Sequence, residues 1–475
     1  MQRPPVGQTD PSRSTAAPDL LAADGNSARC NGWLRSQGLP LAGVVLVFIA
    51  TRLWLLLAFQ ARYADTSLFF VNYALQGVDA KMVVYRDFKF EFPPLAWWLM
   101  AAPRWLDSQT KLAENATPEM IAEFLRSYLW WFHAEILVAD MACLGLMFLV
   151  GRQILPKFQW VLPGLYTLLT IAQPHVTYDR LDVPLLMFFL LTIYCWLRSL
   201  DESDASESWA IASYFWLGFG ISCKLMPLVF VPFLLLADLW WTRSFWRLAA
   251  RVGALAISGV GPFLIYAPAA GRGILWPYTY HSERGTHLES VWGSIMLVGS
   301  KFGVPCKTVY THRACDLVGD WSSGLKTVAN VTMLALPAFY GLWALLRGRQ
   351  YDRRQALDAA QLALVNSTVF AHVYSPQYLA WLVPVALILA LNVLRPRLPV
   401  WLLLGILVTA IVGISSWLFP DLYEDFMDLS PLPVALAVTR SVCLVILALL
   451  LNISFLMKYG LLPARIATAL PARAT

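Results

Sequence analysis

The stretch Trp216–Phe233, WLGFGISCKLMPLVFVPF, decides the topology of this chain. It belongs to a longer apolar run, residues 208–241, broken near its middle by Lys224. Read as one helix, the run is too long for a bilayer and inverts every segment after it. Read as a hairpin, it gives two short helices, 208–222 and 225–241, with Lys224 in the tight turn between them. A helix needs about 20 apolar residues to cross the hydrocarbon, so both arms are short. Short or interrupted helices often mark sites in membrane proteins.

Loop charges choose between the two readings. The hairpin brings the predicted spans to twelve: 41–59, 128–150, 158–173, 182–198, 208–222, 225–241, 250–268, 325–346, 357–372, 377–394, 399–418 and 433–456. With the N-terminus inside, the short inner loops hold a dozen Arg and Lys, Arg152, Arg198, Arg347 and Arg354 among them. The short outer loops hold only Arg180 and Lys224. That asymmetry supports the hairpin and predicts cytoplasmic termini.

The composition agrees. Of 475 residues, 58% are hydrophobic and 14% charged, against about 25% charged in soluble domains. The charge falls between apolar runs, which predicts an all-α, multi-pass membrane bundle over residues 41–456. The net charge of +6 reads as topology, with no basic tract for nucleic acid. Residues 1–40 read as a disordered cytoplasmic tail and 457–475 as a second one. The first apolar run, Leu41–Phe59, is too long and too far in for a signal peptide. Cys143, Cys195, Cys223 and Cys443 read as packing residues. Cys306 and Cys315 are close enough in sequence for a disulfide on an oxidising side. No spacing suggests a zinc site or another metal.

Two long segments, 60–127 and 269–324, then lie outside, with an acidic patch at 420–431. The first contains VVYRDFKFEFPPLAWWL, Val83–Leu99, where charges and prolines crowd between apolar runs. Pro93 and Pro94 predict the start of a Trp-rich helix to Leu106 lying at the membrane interface. Thr117, Pro118 and Glu119 read as N-cap, N1 and N2 of another short surface helix.

The polar residues of this face are open to two readings each. Asp65 is a general base if partial burial raises its pKa toward working pH; spacing alone favours a helix cap or a solvated loop acid. Asp87 and Glu91 either contact a sugar or form surface ion pairs worth little. Asp179 and Asp182 are i,i+3 and share a face if a helix starts there, with Arg180 paired to one of them. Lys224 either snorkels to headgroups or binds a lipid phosphate as a point charge. Arg284 and His287 form a phosphate-binding cluster unless Glu289 pairs with Arg284. Gln377 hydrogen-bonds a sugar or satisfies backbone at a helix break. Within the spans, Arg52 and Asp140 fall at similar depth and are expected to pair, whereas Arg440 has no obvious partner.

Taken in order, these pieces resemble the GT-C superfamily of membrane glycosyltransferases, and most closely glycosyltransferase family 87, the polyprenol-phosphate-mannose-dependent mannosyltransferases. The resemblance rests on Asp65 after the first span, YRDFKFEFPPLAWW, YDRLDVPLL, KLMPL, YHSERGTHLESV and YSPQYLAWLVP, and covers residues 41–395 in pieces. Phe92 departs from the Tyr common at its place. The resemblance implies a sugar donor linked to polyprenyl phosphate, its head group on the outer face among membrane lipids. It implies a lipid or glycan acceptor, inversion, no cofactor, and Asp65 as the base. Lys224, Arg284 and His287 match positions suited to the donor phosphate; Asp87, Glu91, Asp182 and Gln377 are the candidates for sugar or acceptor contacts. The rival is a twelve-span transporter or lipid flippase. Such carriers are built from repeated halves, and no repeat is visible here.

Overall fold

The computed structural model describes residues 37–62, 64–107, 110, 115–201, 204–242, 244–394 and 397–461. The predicted tails lie outside the described residues as far as residue 36 and from residue 462.

Each predicted span falls on a helix. Leu39–Leu57, Pro118–Ile154, Ser322–Gln350, Pro376–Val393, Leu398–Leu418 and Pro431–Lys458 are long and apolar enough to cross a membrane. Phe245–Gly259 and Gly261–Glu283, bent by 46°, form a seventh if they count as one. By length and composition, among the described residues, twelve crossings are not confirmed. Val161–Ala172 has 12 residues, about 18 Å at 1.5 Å per residue, short of a hydrocarbon core of about 30 Å.

The break at Lys224 is where the sequence predicts it. The helix Ser206–Cys223 ends there, with Lys224 in extended backbone at φ −147°, ψ 148°. A 3₁₀ turn, Met226–Phe230, leads with Pro227 into the helix Val231–Trp241. Gly218 lets the first arm lie on the helix Phe245–Gly259, since a Cβ there would meet Ser258 Oγ at 2.0 Å.

Three local expectations change. Thr117 does cap a helix, accepting from the Met120 N–H at 3.4 Å. That helix, Pro118–Ile154, runs 37 residues and continues through the second span, so there is no separate surface helix. The helix Pro94–Leu106 is mostly buried in protein, with Trp105 and Leu106 exposed. The Tyr128 hydroxyl donates to the Met100 carbonyl at 2.7 Å, and Arg104 pairs with Asp79 at 2.8 Å. The third concerns residues 286–319, which hold a small antiparallel sheet ordered β1 (Thr286–His287), β3 (Ala314–Gly319), β2 (Cys306–Thr311). In it Cys306 faces Gly319 and Cys315 faces Tyr310. The two thiols sit at different rungs of the ladder and are free, so the disulfide is not formed.

Most buried charge is paired. Arg52 and Asp140 meet as expected, Nε to Oδ2 at 2.8 Å and Nη2 to Oδ1 at 3.0 Å. The Tyr178 hydroxyl donates to Asp140 at 2.7 Å, and Tyr166 donates as well. Asp140→Leu would strand Arg52 in a dry core and is expected to cost about 3–5 kcal/mol, most of it recovered by Arg52→Met in the same chain. Thermal unfolding in detergent checks both variants. Arg440 has a partner after all: Nη1 lies 2.9 Å from Glu289 Oε2 and Nη2 donates to the Glu289 carbonyl at 2.7 Å.

Candidate active site

The loops at one end of the bundle enclose a cavity of about 580 Å³. The turn after the first helix brings Asp65; the segment before the helix Asp182–Arg198 brings Arg180; the hairpin break brings Lys224. Arg284 and His287 come from the run into β1, and Gln377 from the 3₁₀ turn Pro376–Tyr378. Glu91 reaches in just ahead of Pro93. Six of the eight sequence candidates thus line one cavity: Asp65, Glu91, Lys224, Arg284, His287 and Gln377.

The other two are placed differently. Asp182 is fully buried behind the wall. Both its oxygens lie 2.8 Å from Lys224 Nζ, and the Trp381 indole N–H donates to it at 2.8 Å. It fixes Lys224 and is not itself among the residues lining the cavity. Asp87 stays at the surface, closing the turn Val83–Asp87: it accepts from the Val83 N–H at 2.7 Å and pairs with Arg86 at 2.8 Å. Asp179 does not share a helix face with Asp182, because the helix begins only at Asp182; Asp179 faces His133 at 3.3 Å.

Arg180 reaches Asp65, Nη1 to Oδ1 at 2.7 Å. Burial pushes the Asp65 carboxyl up to about 6 against the lowering pull of Arg180 and Lys224, with Glu91 and Asp182 adding to the rise. Glu91 meets Arg313 at 3.0 Å and accepts from the Tyr73 hydroxyl. Burial, with Arg284 beside it, holds the His287 ring well below the usual histidine range. Its backbone N–H donates to the His372 carbonyl at 2.9 Å, while its Nδ1 has no hydrogen-bond partner.

Arg284 differs from the other cations. It is 8% exposed, its Nε is buried without a partner, and among the described residues no carboxylate lies within 4.0 Å of it. Asp65 answers Arg180, Glu91 answers Arg313, Asp182 answers Lys224 and Glu289 answers Arg440. Among the described residues Arg284 is thus a buried guanidinium of the cavity with no carboxylate facing it. A charge so placed is costly until an anion arrives.

Sequence reasoning missed the tip of the β2–β3 hairpin. Thr311 pairs with Ala314, so His312 and Arg313 form a two-residue turn, at φ 49° and 57°. Such turns favour Asn-Gly or Gly-Gly; with a His-Arg pair the usual signal is absent. The tip is tied across the cavity mouth by Arg313 to Glu91 and by the Tyr280 hydroxyl to the His312 carbonyl. Among the described residues no group of three or more His, Cys, Asp or Glu is placed to hold a metal ion.

Comparison with known proteins adds a partial match. Residues 141–269 match the family of dolichyl-phosphate-mannose-protein mannosyltransferases, a GT-C family, in agreement with the resemblance read from the sequence. Two solved structures of ArnT from Cupriavidus metallidurans are also similar. The one bound to undecaprenyl phosphate is 16% identical, with 94% of this chain and 81% of that chain covered and a TM-score of 0.47. The apo form is 15% identical, with 90% and 76% covered and a TM-score of 0.48. No curated protein matches the sequence.

Proposed function

We propose that this protein is an inverting membrane glycosyltransferase that moves a hexose, mannose by the resemblance, from a polyprenyl-phosphate donor to an acceptor hydroxyl. The observation that carries the reading is Arg284: a buried guanidinium with no carboxylate partner among the described residues, in a cavity where Arg180, Lys224 and Arg313 each face one. A phosphodiester supplies the one missing charge, and the guanidinium fork suits phosphate oxygens. Lys224, held from behind by Asp182, presents a second cation. The unpartnered Nδ1 of His287 adds a neutral group to the same wall. Leu68, Phe69, Leu225 and Met226 line the cavity beside these polar groups, which suits a lipid carrier.

A polyprenyl phosphate is already a leaving group. The protein must supply a base, cations for the departing phosphate, and orientation. Asp65 takes the acceptor proton; Glu91 and Gln377 hold the sugar or the acceptor. Asp182 acts only through Lys224, and Asp87 has no part in the site. The family matched over residues 141–269 supports the lipid-phosphate donor and, less directly, mannose. The loop charges support a cavity on the outer face with both termini cytoplasmic.

The test is purified protein in detergent with polyprenyl-phosphate mannose and alkyl glycosides as acceptors. Transfer to the glycoside, with the anomeric configuration inverted, is expected. Solute transport in vesicles with no sugar transfer would favour a carrier instead.

A further inference from the structure

Resting on that reading, we infer that Arg180 serves both halves of the reaction: it pairs with Asp65 before transfer and turns to the departing phosphate once Asp65 has taken the proton. The geometry that carries this is the 2.7 Å contact between Arg180 Nη1 and Asp65 Oδ1, with both side chains lining the cavity that holds Lys224 and Arg284. Arg180 is also rooted two residues before Asp182, the partner of Lys224. Arg180 and the carboxylate that holds Lys224 therefore come from one short segment, and both cations line the same cavity.

Following the bonds shows why the pair must change. The acceptor O–H breaks and its proton goes to Asp65. The acceptor oxygen forms a bond to the sugar C1 while the bond from C1 to the phosphate oxygen breaks, and that electron pair stays on the phosphate. Asp65 passes from a carboxylate to a neutral acid. The phosphate passes from a singly charged diester to a monoester carrying close to two charges. One negative charge has moved from Asp65 to the leaving group, and nothing else in the site has changed charge. The carboxylates that answer Lys224, Arg313 and Arg440 are Asp182, Glu91 and Glu289, and none of them is the proton acceptor. Arg180 faces Asp65 at 2.7 Å, so the charge it faces there is lost at the moment a new anion appears in its own cavity. A low-dielectric site makes that exchange favourable without reorganising the other pairs. The charged and titratable groups around Asp65 are Arg180, Lys224, Glu91, Asp182 and Tyr310.

Asp65→Asn mimics the protonated base, so the exchange can be tested without acceptor or turnover. The probe is undecaprenyl phosphate, and the readout is its Kd for the full-length protein in detergent at pH 8. Asp65→Asn is expected to bind it about tenfold more tightly than wild type, a shift of about 1.4 kcal/mol. Asp65→Asn with Arg180→Gln is expected to lose the gain. Asp65→Asn with Arg180→Lys, which keeps the charge, is expected to retain part of it and guards against a double variant that fails to fold. Equal affinity in wild type and Asp65→Asn, or a gain that survives Arg180→Gln, overturns the role of Arg180 while leaving the donor reading in place. No binding of the probe by wild type overturns both.

Discussion

Asp65→Asn is expected to lower kcat by about 10³-fold, within the range of 10²–10⁴ for loss of a positioned general base. An acceptor hydroxyl keeps its proton until late in the displacement, so the base must be ionised and basic at working pH. Burial meets both conditions by lifting the Asp65 carboxyl to about 6. It stays ionised at pH 7 and is a stronger base than an ordinary aspartate near 3.9. The acid limb of kcat should therefore bend near pH 6 and fall about tenfold per unit below it. Glu91→Gln removes one of the anions that raise Asp65, so that bend should move to lower pH. A pH–rate profile of wild type and both variants reads all of this. Full turnover by Asp65→Asn would remove the assigned base, and a limb that ignores Glu91→Gln would detach it from Asp65.

How far this site was legible in the sequence depends on the kind of information each part needs. The break at Lys224 was legible because a lone cation inside an apolar run has few places to go. The Arg52–Asp140 pair was legible because two opposite charges at equal depth in neighbouring spans have strong reason to meet. Asp65, Glu91, Lys224, Arg284, His287 and Gln377 end in one cavity because each sits in a connection between helices at the same end of the bundle. Partner choice was not legible. Arg180 lies between Asp179 and Asp182 in sequence yet reaches Asp65, and Arg440 finds Glu289 across 151 residues. Those pairings depend on how helices pack, which spacing does not encode. Asp87 looked like Glu91 in sequence, but a local turn claims its carboxylate first. The small sheet escaped because its turn, His312 and Arg313, lacks the residues that make a hairpin visible. The count of twelve spans is not confirmed, because length and apolar composition alone do not report whether helices as short as Val161–Ala172 cross.

Arg284→Met is expected to move activity and stability in opposite directions. In the empty cavity Arg284 is buried and has no anion among the described residues. Its charge then carries a desolvation cost with nothing to offset it. A flexible apolar side chain of similar length removes that cost, so the unliganded protein should gain about 1–4 kcal/mol, seen as a higher unfolding midpoint in detergent. The same change takes away the guanidinium that answers the donor phosphate, and kcat/KM should fall about 10²–10³-fold. Arg440→Met is the control. Its guanidinium is also buried but paired with Glu289 at 2.9 Å, so removal strands a carboxylate and should cost about 3–5 kcal/mol. Only a cation held in place for an absent anion gives the crossed result, stabler and inactive. Loss of stability on Arg284→Met would point to an anion the protein supplies itself, and unchanged kcat/KM would take the donor phosphate away from Arg284.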